Sequence, residues 1–356
     1  MFFVRFASTL LLAAASFAAE TIPGAPAGIV VHEWGTFTSV AATDGRAIPW
    51  TVLADDGDLP CFVNHSQVLF KYQMEGRVRM ETPVLYFYTP RTAKVSVGVD
   101  FPQGALTEWY PPAEQSSPRR LDWNSVEVLP GDSAELPGAH GPSHYFAARA
   151  TDAAPVRVSG KPEKFLFYRG IGDFQPPLLP RFTAESAVEL GMTAPAILFE
   201  NRGGHMGFRV ADGPRVAAPE LTGSVDGVGA ALVTLLRDAG LYDKEARAMV
   251  ETWRDSWFEE GMRLLYIVPR ETVDSLLPLH IDPQPQSIER VFVGRMELIS
   301  PAIRETIGTA LAKRDEATLR RYGRFLNAFA REIGDWRGRQ YLESLGGTPR
   351  EAPCVR

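Results

Sequence analysis

The sequence lacks the features that define several common protein classes. Its 356 residues include only two cysteines and six histidines. It contains no Gly-x-Ser-x-Gly elbow, no P-loop and no dinucleotide-binding fingerprint. These absences weaken the interpretations as a hydrolase, a nucleotide-binding protein or a redox enzyme, although they do not eliminate them.

Positive charge is also scarce. The chain carries 37 Lys and Arg residues against 43 Asp and Glu residues, a formal net charge of −6. Nucleic-acid binding needs a basic surface for the phosphates, so we expect no nucleic-acid partner. Hydrophobic residues make up 45% and charged residues 22% of the chain. These fractions are close to those of globular proteins and indicate a chain that buries a core.

After the first residues, no apolar run approaches the about 18 residues expected of a membrane span. Residues 1–18 instead have the pattern of a secretory signal peptide: a basic Arg5, a short Leu- and Ala-rich segment, and small residues at Ser16 and Ala18. An uncleaved N-terminal anchor is the alternative. We expect a periplasmic or extracellular protein with a spacer at residues 19–28 and no membrane span after signal cleavage.

The two cysteines, Cys61 and Cys354, stand far apart in the sequence. An even number of cysteines in an exported protein favours a disulfide, which the chain-entropy model would credit with at most roughly 5–6 kcal/mol. Sequence spacing cannot establish proximity. A buried free Cys61 with a frayed Cys354 is therefore the alternative.

Residues 29–220 have the pattern of an antiparallel β-sandwich. Ile29–Thr38 is the expected first strand of the mature chain, and the clearest alternation places Val95, Val97 and Val99 on one face of a later strand. Turn signals such as Asp44-Gly45 separate short strands at intervals typical of sandwiches. One helical insertion is expected at Thr183–Leu190.

Residues 221–356 have a different character. Val225–Leu236 has helical periodicity, Asp243 is a good N-cap for a helix that reaches about Glu260, and Ser300-Pro301 has the cap-then-proline pattern of a helix start. Strands are expected at Leu264–Val268 and Glu289–Ile299. The sequence therefore predicts an α+β fold, with an N-terminal sandwich-like domain followed by a mixed, helix-rich C-terminal domain.

Two charged segments are interpreted as surface. A helix beginning near Asp315 places four arginines largely opposite its apolar residues, which predicts a solvated face: these are Arg320, Arg321, Arg324 and Arg331. Asp55, Asp56 and Asp58 lie in an acidic loop that lacks the full calcium-binding pattern. A solvated acidic turn is the simpler interpretation.

The histidines raise the possibility of a metal site. The most suggestive set is His32, His140 and His144, with a divalent metal such as zinc as cofactor and Glu33 as catalytic base of a metal-dependent hydrolase. In a regular strand, however, His32 and Glu33 point to opposite faces unless a bulge intervenes. Gly141-Pro142 favours a loop between the other two histidines, and the His-Glu-x-x-His pattern is absent. Loop histidines bonded to backbone are the alternative.

A second hypothesis is a binding site for a small molecule or glycan. Trp34 and Trp109, like Trp123, lie on expected strands, and exposed indole faces suit sugar stacking; Glu33 and Glu108 beside them could flank a sugar ring. His205 lies among Gly203, Gly204 and Gly207, which could let a ligand approach the backbone, although a simple hairpin turn is the alternative. The favoured function is a binding protein for a glycan or envelope component.

Four segments of the chain resemble uncharacterised exported proteins of environmental bacteria. These are Val31–Thr38 (Val-His-Glu-Trp-Gly-Thr-Phe-Thr), Glu81–Phe87, Glu163–Gly170 and Val291–Arg295. The resemblance covers most of the mature chain. It implies export and a single long architecture, and it carries no activity and no catalytic residue onto this sequence.

Overall fold

A computed structural model describes residues 28–51, 58–66, 75–133, 135–138, 143–184 and 187–334. The described part combines strands and helices, which confirms the mixed α and β class. The predicted signal peptide, most of the spacer and Cys354 lie outside the described residues, so the pairing of Cys61 with Cys354 stays a prediction. No helix in the described part of the chain is long and apolar enough to cross a membrane.

The strands of the described residues fall into four sheets. In chain order they are β1 (Val30–Val40), β2 (Trp50–Thr51), β3 (Asn64–His65), β4 (Glu75–Gly76), β5 (Val78–Tyr88), β6 (Ala93–Asp100), β7 (Gly104–Tyr110), β8 (Glu114–Ser117), β9 (Arg120–Val128), β10 (Val156–Val158), β11 (Lys161–Glu163), β12 (Leu166–Gly172), β13 (Arg181–Phe182), β14 (Val188–Glu189), β15 (Ala196–Arg202), β16 (His205–Val210), β17 (Arg215–Val216), β18 (Gly261–Ile267), β19 (Leu279–Asp282) and β20 (Ser287–Leu298).

The helices lie mostly after residue 224. They are α1 (Val225–Asp238), α2 (Asp243–Thr252), α3 (Arg254–Trp257), α4 (Arg270–Leu276), α5 (Pro301–Lys313), α6 (Glu316–Arg320) and α7 (Leu326–Ile333), with 3₁₀ turns at Phe146–Arg149 and Gly323–Phe325. Ser300 Oγ accepts a hydrogen bond from Ile303 N, as the cap-then-proline pattern predicted. The expected helix at Thr183–Leu190 is wrong, because the strand β14 lies within this range and pairs antiparallel with β13, which precedes it.

The main sheet has nine strands in the order β16-β15-β18-β20-β1-β5-β12-β7-β3. β1 is central: it pairs in parallel with β20 and antiparallel with β5. A second sheet has the order β11-β10-β9-β6-β19. Since β18 and β20 belong to the same sheet as β1, the predicted boundary at residues 220/221 does not separate two sheets. A strand's periodicity identifies the strand and not its partner, so sequence could not show this.

The main sheet is covered on both faces. One face contributes to a first core, which contains Val31 and Leu85 together with Val97 of the second sheet and Phe329 of α7. The other face contributes to a second core, which contains Trp34 and Val84 together with Leu232 of α1 and Met249 of α2. Both faces are therefore dry over most of their area, and a polar side chain on either face needs a partner.

Candidate functional site

Buried charged side chains lie on one face of the main sheet and form a row across its strands. Arg79 and Glu81 flank Met80, and Arg295 and Glu297 flank Met296; both methionines belong to the first core. By the two-residue period of a strand, the charged side chains point to the opposite face. Members of this row are at most 5% exposed: they are Arg79, Glu81, Glu108, Arg169, Arg263, Arg295 and Glu297.

A cavity of about 220 Å³ opens above this row. Its walls are the sheet on one side and, on the other, the segment Trp253–Glu259 with Gly323 and Arg324. We call it the polar cavity. With His144 protonated, its lining has four cationic side chains and four carboxylates: Arg79, His144, Arg169 and Arg324, and Asp58, Glu81, Asp255 and Glu259.

Asp58 anchors one wall of the polar cavity. Arg169 donates two hydrogen bonds to it, Nη1 to Oδ1 at 2.8 Å and Nη2 to Oδ2 at 2.6 Å. Burial pushes the pKa of Asp58 upward, but the charges and hydrogen bonds of Arg169 and His144 outweigh it and hold the pKa well below its usual range. Asp58 is thus a partly buried ion-pair member, and the interpretation of this position as a solvated acidic turn is wrong. Asp55 and Asp56 lie outside the described residues.

His144 connects Asp58 to the mouth of the polar cavity. Its Nδ1 lies 2.9 Å from Asp58 Oδ2 and its Nε2 lies 2.7 Å from Asp255 Oδ1. Burial lowers the pKa of His144, but the two carboxylates outweigh this and raise it above 6.5. The ring therefore favours the imidazolium form, in which both nitrogens donate. Its centroid lies 4.7 Å from the Trp253 ring, which fixes its plane.

Glu81 on β5 forms an ion pair with an arginine that is distant in the sequence. Arg324 Nη1 donates to its Oε1 at 2.6 Å, and the Thr38 hydroxyl donates to its Oε2. Burial raises the pKa of Glu81, but Arg324 and Arg295 outweigh it and lower the pKa from 4.5 to about 2. The predicted solvated arginine face is therefore wrong at Arg324, whose side chain is only 14% exposed, although Arg320 is exposed as expected.

Arg79 has an unfulfilled donor beside the polar cavity. Its side chain is 4% exposed, and Nη2 lies 3.7 Å from Glu108 Oε1, which is beyond hydrogen-bond distance. Its Nη1 is buried and finds no acceptor in the part of the chain that the structure describes. A buried donor without a partner costs about 1–3 kcal/mol. An acceptor brought within hydrogen-bond distance of Nη1 would recover this cost.

His32 and Glu33 point to opposite faces of β1, as expected for a regular strand. His32 Nδ1 lies 2.8 Å from Glu245 Oε2 of α2, in contact with the Tyr88 and Tyr242 rings. Glu33 is fully buried and accepts hydrogen bonds from Tyr168 and Arg290. Neither residue lines the polar cavity. Glu33 is therefore placed as an ion-pair member rather than as an accessible base.

The predicted metal set does not converge. His32 contacts Glu245 in the first turn of α2, whereas His144 contacts Asp255 beyond its last turn. The ten residues of α2 span about 15 Å, and a zinc ligand lies about 2 Å from its ion, so these two histidines cannot share one metal. His140 lies outside the described residues. Within the described ranges, no three His, Cys, Asp or Glu residues are grouped to hold a metal ion.

The predicted binding aromatics are buried rather than exposed. Trp34 is 0%, Trp109 7% and Trp123 1% exposed. Trp34 and Trp109 lie on the main sheet, which is covered on both faces, and Trp123 lies on the buried face of β9. Their indole faces therefore pack in the cores and cannot stack on a sugar at the surface. The expectation of exposed aromatics is wrong for all three.

His205 is exposed and begins β16, directly after the hairpin turn. Gly203 and Gly204 have φ values of +62° and +86°, which the turn requires. A Cβ at Gly207 would lie 1.9 Å from the Glu220 carbonyl oxygen. Gly207 thus allows the backbone at Glu220, rather than a ligand, to approach closely. The hairpin interpretation accounts for this segment.

Sequence reasoning missed most of the polar cavity. The available signal was a charged residue between apolar neighbours within a strand, as at Arg79 and Arg169. The chain matches no protein-family model, no curated protein and no solved structure. The functional argument therefore rests on the geometry of this site.

Proposed function

We propose that this protein binds a small polar molecule in the polar cavity. The observation that carries the proposal is Arg79, a buried guanidinium with one N–H lacking an acceptor, in the wall of a cavity. Ligand pockets are concave sites with a few convergent polar groups, and volumes of about 300–1,000 Å³ suit drug-sized molecules. At about 220 Å³, this cavity suits a smaller ligand.

The ionisation of the site favours binding over acid–base catalysis. A general base works best when its pKa lies near the working pH. Asp58 and Glu81 have lowered pKa values, so they remain ionised and are poor proton acceptors near neutral pH. Both nitrogens of His144 are already engaged by carboxylates. The site is thus a fixed array of charges that can orient a ligand.

The proposal extends to location and architecture. We propose that the protein acts in the periplasm or outside the cell, with a glycan or envelope component as the source of the ligand and no nucleic-acid partner. We also propose that the second sheet and part of the main sheet form the sandwich-like N-terminal part expected from the sequence. Leu85 of the main sheet and Val97 of the second sheet both belong to the first core, which supports the sandwich-like packing of these two sheets.

A thermal-shift screen tests the function. The mature protein is heated with sugars, sugar acids, amino acids and small carboxylic acids, and we expect at least one class to raise the Tm in a concentration-dependent way. Ser256 lines the cavity, so Ser256→Phe should fill it and abolish the shift. Ser256→Ala removes the same hydroxyl without filling the cavity and should keep the shift. If no class shifts the wild-type Tm, or if Ser256→Phe shifts equally, the proposal fails.

A further inference from the structure

The side chains that line the polar cavity differ in exposure, and its two most exposed charged groups are carboxylates. The two floor arginines are nearly inaccessible, with side chains 4% exposed at Arg79 and 2% at Arg169. The two outer carboxylates are far more open, 74% at Asp255 and 32% at Glu259. A ligand that enters the cavity therefore meets Asp255 and Glu259 first. It reaches the two arginines at the bottom, where Glu81 is equally buried.

At the floor of the cavity, Arg79 can bind a negatively charged acceptor. Arg169 is satisfied by Asp58, whereas Arg79 Nη1 has no acceptor among the described residues. A carboxylate is the stronger partner for such a donor, because hydrogen bonds between ionised groups are roughly twice as strong as those between neutral groups.

At the mouth of the cavity, Asp255 and Glu259 can bind a positively charged donor. Asp255 uses Oδ1 for His144, and Glu259 uses Oε1 for Arg295. Within the described part of the chain, the second oxygen of each carboxylate has no hydrogen bond assigned to it. A protonated amine donates three hydrogen bonds and accepts none, so it matches these two oxygens.

The balance of charge restricts the ligand further. Four cationic and four anionic side chains line the cavity when His144 is protonated. A ligand with a net charge would leave that charge uncompensated in a largely buried site, which is costly. A molecule with one carboxylate and one amine adds no net charge, and a volume of about 220 Å³ limits it to a single small unit.

We propose that the polar cavity binds a free amino acid, with its carboxylate directed to Arg79 and its amine to Asp255 and Glu259. This inference rests on the proposed binding function and names the class of ligand. Envelope polymers contain amino acids as well as sugars, so the class is compatible with the proposed source.

Isothermal titration calorimetry with matched compounds tests the class. The individual amino acids are titrated beside lactate and propionate, which lack the amine, beside ethylamine and ethanolamine, which lack the carboxylate, and beside glucose. We expect at least one amino acid to bind, and both sets of truncated analogues to bind at least tenfold more weakly. Binding of the analogues with equal affinity would overturn the proposal.

Two pairs of variants test the orientation. Arg79→Lys should weaken amino-acid binding at least tenfold, because lysine lacks the planar fork. Arg290→Lys is its matched control: Arg290 is equally buried and also has an unpartnered N–H, but it does not line the cavity. Asp255→Asn should weaken binding severalfold, and Asp226→Asn, at an exposed carboxylate on α1, should not.

The outcomes separate the two proposals. If glucose binds in a way that Ser256→Phe abolishes while no amino acid binds, the amino-acid proposal fails and the binding function stands. If no compound binds, both fail. Circular dichroism establishes that each variant is folded. Should Arg79→Lys not fold, the exposed Asp255 pair decides the orientation, and equal affinity in Asp255→Asn and wild type would overturn it.

Discussion

Arg169 and Asp58 form a two-bond ion pair although 111 residues separate them in the chain. Arg169 lies on β12, two strands in from the edge strand β3, and Asp58 precedes β3 in the chain. The pair holds the segment around Asp58 over the polar cavity. Its stability and its ionisation are therefore tied to the shape of the candidate site.

Loss of one member of this pair should destabilise the protein strongly. Asp58→Asn keeps the side-chain shape but leaves the Arg169 charge without its counterion, and breaking a buried pair in this way costs about 3–5 kcal/mol. Urea unfolding measures the cost. Glu316→Gln, which breaks the exposed Arg320–Glu316 pair, is the control and should cost at most about 1 kcal/mol. A loss below about 1 kcal/mol in Asp58→Asn would contradict the prediction.

Stability should fall in acid because of Glu81. Its pKa is about 2 in the folded protein and 4.5 in the reference state. The folded pKa is depressed, so the stabilisation is present above pH 4.5 and is lost as the pH falls towards about 2. The shift corresponds to about 3 kcal/mol. Urea unfolding at pH 7 and pH 3 measures the larger part of this loss, since pH 3 lies between the two pKa values. Glu81→Gln should have a shallower pH dependence than the wild type.

His144 should produce a change of opposite sign on the alkaline side. Its folded pKa is raised above 6.5 by Asp58 and Asp255. The stabilisation is therefore complete below pH 6.5 and decreases as the pH rises through the folded pKa. Unfolding free energies between about pH 6 and pH 9 should decline less in His144→Gln than in the wild type. His205→Gln, at an exposed hairpin, is the control and should follow the wild type; identical slopes in all three proteins would refute the role of His144.

Gly207 should not tolerate a side chain. A Cβ at this position would lie 1.9 Å from the Glu220 carbonyl oxygen, and only a shift of the backbone could relieve the clash. Gly207→Ala should therefore cost at least about 1–3 kcal/mol, the usual cost of overpacking. Gly213→Ala is the matched control, since nothing lies within 4 Å of its Cβ position. Comparable unfolding midpoints in the two variants would show that the contact is not tight.

Local patterns predicted many elements correctly. The alternation at Val95–Val99 corresponds to β6, the periodicity from Val225 corresponds to α1, and Ser300-Pro301 begins α5. In each case the signal lies within the element itself. The helix expected from Asp243 to about Glu260 illustrates the limit: α2 ends at Thr252 and a separate short turn, α3, follows.

The polar cavity could not be predicted because its residues are joined only by tertiary structure. Arg324 resembled a surface residue from its helical position, yet it reaches Glu81 on β5. Periodicity assigns a residue to a face of a strand or helix, but it does not show what covers that face. The predicted exposure of Trp34 and Trp109 was wrong for the same reason, because the layers that bury them come from distant parts of the chain.

The parallel pairing of β1 with β20 has a consequence for biosynthesis. Val40 ends β1 and Ser287 begins its parallel partner, so residues 41–286 must emerge from the ribosome before that side of β1 can be closed. Until then the nascent polypeptide carries an open strand edge, which is a template for aggregation. Efficient folding therefore depends on keeping this edge from pairing with another chain until β20 is available.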